Sequence, residues 1–264
     1  MQPPTETTPR PALIELIEAA VYNPELPERL MVEDVTWQIA AGDFWVVAGL
    51  QNSGKSDLLN TAAGLQRPER GRQLMFGHEA AKLSEAELLE QRLKIGLVFE
   101  DGGRLFSRLT LAQNIALPLC YHQNSTEADT AEQVATMLDF IGLRAAGELL
   151  PGRVNRPARQ RAALARALVL RPEILMLDNP LVGLDPRETR WWLDLLNRLA
   201  AGHPVLGGPP VTLVVTTDDL RPWLNHGRQF GVLNQRRWCP LGGRERVTGC
   251  DDPFVRDLLL AATE

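Results

Sequence analysis

Cysteine is scarce. The 264-residue chain holds three, Cys120, Cys239 and Cys250. They are odd in number, widely spaced and never in a C-x-x-C pair. That argues against a disulfide framework or a zinc site and points to a reducing cytoplasm. Long apolar runs are missing too. The longest, around Phe44–Leu50 and Val211–Val215, fall far short of the roughly 18–20 residues of a membrane helix, so they read as buried strands. If the chain works at a membrane, another subunit must hold it there. No Lys/Arg block occurs, and 28 basic residues stand against 33 acidic ones, a net charge of -5. That balance speaks against a nucleic-acid partner. Residues 1–10 lack the basic-then-apolar order of a secretion signal and read as a short disordered tail. Internal repeats and low-complexity tracts are absent.

What is there suffices for one large domain: 44% of the residues are hydrophobic, enough for a sizeable core. Val35, Trp37 and Ile39 alternate with polar residues, as in a strand with one buried face. Phe44–Ala48, Ile95–Phe99, Ile174–Leu177 and Val211–Thr216 are continuous apolar runs, the pattern of strands buried on both faces of a parallel sheet. A helix is expected from about Lys55, carrying Leu58, Leu59 and Ala62. Another is expected over Arg187–Leu199, and residues 64–71 and 203–210 read as loops. Residues 101 to about 164 have helical rather than strand periodicity, with Val134, Leu138 and Ile141 on one face. The expectation is an α/β domain over 11–264, with a mostly parallel sheet and a helical subdomain inserted at about 101–164.

The run Gly49-Leu-Gln-Asn-Ser-Gly54-Lys55-Ser56 matches G-x-x-x-x-G-K-[ST] between an apolar strand and a helix. Glycines permit a tight turn whose N–H groups point at phosphates, and the following helix aims its positive end at the same anion. Lys55 would reach the β- and γ-phosphates and Ser56 would ligate magnesium. Asn52 stands where many such loops have glycine, and Asn tolerates positive φ better than most residues. Asp178 closes the strand Ile174–Leu177. Beside a phosphate loop such a carboxylate can hold magnesium. Its plainer role is to initiate a turn before Asn179-Pro180.

With their surroundings these motifs resemble the ATP-binding subunits of ABC transporters over residues 11 to about 240. The likeness runs through Gly64–Gly71, Val98-Phe99, Gln160–Leu168, Leu177-Asp178 and Gly183-Leu184-Asp185. Val98–Leu105, Asn114–Pro118 and Asp251–Arg256 resemble in particular the ATPase subunits of MCE-linked lipid transporters. The resemblance implies a P-loop fold of ABC type, with a small antiparallel β element near the N-terminus. It implies ATP and Mg2+ as cofactors. The nucleotide-binding set is Tyr22, Gly49, Asn52, Ser53, Gly54, Lys55, Ser56 and Asp57, with Asn155 and Arg156 serving the site across a dimer. The magnesium set is Ser56, Glu100 and Asp178. A membrane permease and a second ATP-binding subunit, in a homo- or heterodimer, are the implied partners. The place is the cytoplasmic face of the cell membrane, and the implied cargo is envelope lipid. Tyr22 either stacks on the base or packs, and Trp191-Trp192 reads as packing.

The departures fall on catalytic positions. Asn179 stands where the family has the Glu that polarises water, and an amide cannot accept that proton. Thr217 replaces the switch His. Glu100 replaces a Gln that ligates magnesium, and a carboxylate ligates it well. The signature run reads Val154-Asn155-Arg156-Pro157-Ala158, in which Arg156 adds bulk and Pro157 lacks an N–H. Both kinds of defect lie in one chain, so no dimer containing it would have a site complete by the family pattern. Weak or absent hydrolysis is therefore expected. The alternatives are a fully active ATPase with Asp218 or Asp219 as substitute base, or a soluble regulatory ABC protein without a permease. Arg156, Arg159, Arg161 and Arg166 read as a solvated helix face.

Overall fold

The computed structural model describes residues 10–23, 26–100 and 105–260. Residues 1–9 and 101–104, parts of the expected tail and insertion, lie outside them. In chain order the first elements are β1 (Ala12–Asn23), β2 (Leu26–Ala40), β3 (Phe44–Ala48), α1 (Lys55–Ala62), β4 (Arg70–Met75) and β5 (His78–Glu79). Then come α2 (Glu85–Arg92), β6 (Ile95–Val98), α3 (Leu111–His122), α4 (Glu127–Phe140), α5 (Arg156–Leu168), β7 (Ile174–Leu177) and α6 (Pro186–Ala201). β8 (Thr212–Thr217), β9 (Gln229–Asn234), β10 (Arg237–Gly242), α7 (Arg244–Thr248) and α8 (Pro253–Leu259) complete the order.

Among the described residues the sheet order is β5-β4-β1-β2-β10-β9-β3-β8-β7-β6. The half from β9 through β3, β8 and β7 to β6 is parallel throughout. The half built on β1 is antiparallel. Strand β3 explains the two-sided burial. Phe44, Val46 and Ala48 enter one core with residues of α3, α5 and α6. Trp45 and Val47 enter a second core with Leu58, Leu59 and Ala62 of α1 and with β1 and β2. Burying a Leu of this kind is worth about 1.5–3 kcal/mol, so the phosphate-loop helix is clamped to the sheet. On the other face α6 buries Trp192, Leu195, Leu196 and Leu199 at helical spacing.

Capping defines the helix ends. Thr110 and Gln113 form a capping box before α3, and Thr126 and Asp129 one before α4. Asp185 accepts from the N–H groups of Arg187 and Glu188 at 2.8 and 2.9 Å to start α6.

Several expectations change. The strand expected to reach Phe99 stops at Val98, and Phe99 is 44% exposed. Helix α5 continues past 164 to Leu168, because Ala165 and Leu168 stay on its buried face. The loop at 203–210 holds a 3-10 turn, Pro204–Leu206, that buries Leu206. The four arginines of α5 are each half-buried rather than solvated. Arg161 pairs with Glu188 at 2.6 Å and lies 3.9 Å from the Trp191 ring centroid.

Candidate functional site

The site forms where β3, β8, β7 and β6 end, the edge at which open α/β sheets hold ligands. Four segments leave the sheet there: the loop 49–54, Thr217–Asp219, Asp178-Asn179 and Phe99-Glu100. Gly49 N–H donates to the Thr217 carbonyl at 3.1 Å, which carries the β3–β8 pairing into the loop. Gly49 is required by close approach: a Cβ there would come within 2.9 Å of the Leu233 carbonyl. Asn52 has φ 60 and Gly54 φ 95, so Asn fills a left-handed position as its side chain permits. Helix α1 then starts at Lys55 with its first-turn N–H groups turned to the loop.

Lys55 is buried, and its ammonium donates to the carbonyls of Gly49 and Leu50, both at 2.8 Å. Burial lowers its pKa, while the charges of Asp218, Asp178 and Glu100 oppose that shift. The charges of these three carboxylates thus all act on the lysine. Asp57, the third residue of α1, has its carboxyl pushed up by burial and then by Asp178, with Arg29 opposing.

Asp178 is 7% exposed and accepts from the Thr216 hydroxyl at 2.6 Å. The same hydroxyl accepts from the Asn179 N–H at 2.9 Å. Thr216 therefore orients the whole Asp178-Asn179 turn, in which Asn179 adopts φ 45. The sequence reading overlooked Thr216; its place one strand over from Asp178, at the end of an apolar run, was the available signal. Thr217 is buried, and its hydroxyl is engaged with the Asp219 backbone, donating to the carbonyl at 2.9 Å and accepting from the N–H at 3.1 Å. The Asp219 carboxylate is gripped by Arg221 at 2.8 and 2.7 Å, which removes it as a free base and leaves Asp218. This loop is tied to the C-terminal helix, since Leu220 N–H donates to the Leu258 carbonyl at 3.1 Å.

Tyr22 stands on β1 across from Leu30. Asn155 caps α5, accepting from the Ala158 N–H at 3.0 Å. Pro157 sits in the first turn, where a missing N–H costs the helix nothing. Arg156 covers Gly183: a Cβ on that glycine would lie 2.7 Å from the guanidinium. Glu100 is exposed, and its carbonyl accepts from the Gln160 amide at 3.4 Å.

Among the described residues no group of three or more His, Cys, Asp or Glu could cage a metal. The oxygen donors present suit a cation that keeps some waters and takes other ligands from a bound phosphate, as magnesium does. Among the described residues no helix is long and apolar enough to cross a membrane.

Comparison with known proteins agrees with this geometry. Residues 32–182 match the family model described as ABC transporter. A probable ribonucleotide transport ATP-binding protein mkl of Mycobacterium leprae is 35% identical over 227 residues. That alignment covers 86% of this chain but 63% of the relative. The intermembrane phospholipid transport system ATP-binding protein MlaF of Haemophilus influenzae is 33% identical over 70% of this chain and 69% of its own length. A dimeric ATP-binding cassette, MJ0796, solved in a post-hydrolysis state with ADP and Pi, superposes with a TM-score of 0.75 at 25% identity. It covers 87% of this chain and 99% of that one. A loop of this form on this sheet, matched by family and by fold, means that the chain belongs to the ABC transporter family, as one of its ATP-binding domains.

Proposed function

We propose that the chain binds MgATP as the ATP-binding subunit of a membrane transport complex and hydrolyses it weakly or not at all by itself. One contrast carries the reading. The phosphate loop carries Lys55 and Ser56 at the start of α1 behind Gly54, and the charges of three carboxylates act on the buried Lys55. The water-activating position holds Asn179, and the Thr217 hydroxyl is spent on Asp219. Ser56, Asp178 and Glu100 would hold magnesium together with oxygens of the nucleotide. The ion would neutralise phosphate charge, while Lys55 and the first-turn N–H groups of α1 orient the phosphates. Tyr22 would lie beside the base. Asn155 and Arg156, at the start of α5, would face the nucleotide held by a second ATP-binding subunit.

The names of the relatives support a transport role, and the phospholipid system favours envelope lipid as cargo. A permease would hold the subunit at the cytoplasmic face of the membrane. Exposed Phe106, Leu149 and Leu150 suit an apolar contact with it. A second reading, turnover with Asp218 as base, is favoured by the charge this carboxylate places near Lys55.

The test is nucleotide affinity and steady-state hydrolysis of the purified chain beside its Lys55→Ala variant. The expected result is binding weakened about a hundredfold in the variant, as for loss of a charge-assisted phosphate contact, with wild-type turnover at most slightly above that of the variant. Brisk turnover that the variant abolishes would overturn the impaired-hydrolysis reading in favour of Asp218.

A further inference from the structure

The phosphate loop lies directly against β2. A Cβ on Gly54 would meet Val32 at 3.0 Å and Met31 at 3.1 Å. A recess opens on this side, bounded by Arg29 and Met31 of β2, Asn52 and Ser53 of the loop, and Gln235 and Arg236 of the β9–β10 turn. Arg29 is two residues from Met31, and Leu30 between them pairs with Tyr22 across the β1–β2 ladder. Arg29 is exposed, and its positive charge is felt at Asp57 in the first turn of α1. Arg29 thus lines the recess on the side where Asn52 and Ser53 of the loop lead into α1. Arg236, the other cation of the recess, is 3.6 Å from the Glu33 carboxylate, so part of its charge is already answered.

Asp57 makes a cation here necessary. An acidic residue in the first turn steadies a bare helix end. When that end receives a phosphate, the same carboxylate repels it. Lys55 cannot compensate alone, because three other carboxylates act on it. Arginine is suited to the task, with a planar fork that matches phosphate oxygens.

We propose that Arg29 is a nucleotide-binding residue outside the phosphate-loop motif, its guanidinium contacting the phosphate that lies against the first turn of α1 and offsetting the charge of Asp57. The inference rests on the proposed nucleotide binding. It sets what that phosphate must be: the one nearest the nucleoside, which ATP and ADP share.

Calorimetric titration of the full chain with ATP and with ADP, both with magnesium, tests it on Arg29→Ala, Arg29→Lys, Asp57→Asn and the Arg29→Ala/Asp57→Asn double variant. Thermal melting of each variant reports the fold. Arg29→Ala should weaken ATP and ADP alike by about tenfold, and Arg29→Lys should recover part of the loss. Asp57→Asn should tighten both. The double variant should lose less through Arg29→Ala than the wild type does, because the charge to be offset is gone. Unchanged affinities in Arg29→Ala, or a loss confined to ATP, would overturn the assignment even while Lys55→Ala weakens binding. A wild-type chain that binds neither nucleotide would remove both this inference and the reading beneath it.

Discussion

The phosphate loop and the start of α5 are both helix N-termini that face an anion in the proposed assembly, yet they are built in opposite ways. At the loop, Gly49 admits the close approach of the Leu233 carbonyl, and Asn52 and Gly54 fill left-handed positions. At α5, Asn155 caps its own helix, Pro157 removes an amide and Arg156 lies over Gly183. A third region, the strand ends, carries the non-ionisable Asn179 and Thr217 and is held in place through Thr216. Holding a phosphate draws on backbone N–H groups and one lysine, whereas activating water draws on particular side chains. The first function can therefore stand without the second.

The sharpest way to break this comparison is to restore the side chains. Asn179→Glu combined with Thr217→His should raise hydrolysis by about 10²–10⁴, the usual contribution of a catalytic base, against a Lys55→Ala blank. A rate that stays flat would shift the defect to Arg156 and Pro157. The same double variant should melt earlier than the wild type, because Glu tolerates φ 45 less well than Asn. Next in size, Thr216→Val takes the hydroxyl from Asp178 and from the Asn179 N–H. It should cost about 1–3 kcal/mol in chemical denaturation and weaken the magnesium dependence of nucleotide binding. Smaller again, Asn155→Ala removes the α5 cap and should cost about 1 kcal/mol while leaving nucleotide affinity of the isolated chain unchanged.

The smallest effect tests the frame the regions share. Burial holds the His226 imidazole below its ordinary value of 6.5, with Asp194 opposing. The neutral ring is therefore favoured in the folded chain. Stability should be complete above pH 6.5 and decline as the pH falls through that value towards the folded one. Melting curves between pH 7.5 and 5 would show the decline, and His226→Asn would flatten it.

Much of this was legible in the sequence. The strand–loop–helix unit at 44–62 and the apolar strands at 174 and 212 follow from short motifs and continuous burial. The antiparallel half was harder to read. Register shifts interrupt β1, and Glu18 and Asp34 take positive φ, so alternation breaks where the strands bend. Single-strand patterns also hide cross-strand partners. Thr216 gains its role from Asp178, 38 residues away in sequence, and Arg221 disarms Asp219 only because a turn brings them together. Arg161 of α5 looked solvated because its partners, Glu188 and Trp191, belong to α6.

The hydrogen bond from Leu220 to the Leu258 carbonyl has a practical reach. Val255 and Leu258 of α8 are buried in the core that also holds Leu220 and Trp223. Anything joined after Leu259 therefore hangs from a short lever whose other arm is the Thr217–Asp219 loop. A reporter or affinity handle fused on that side would load the loop mechanically, and altered nucleotide response in such a fusion would report the tether rather than the subunit.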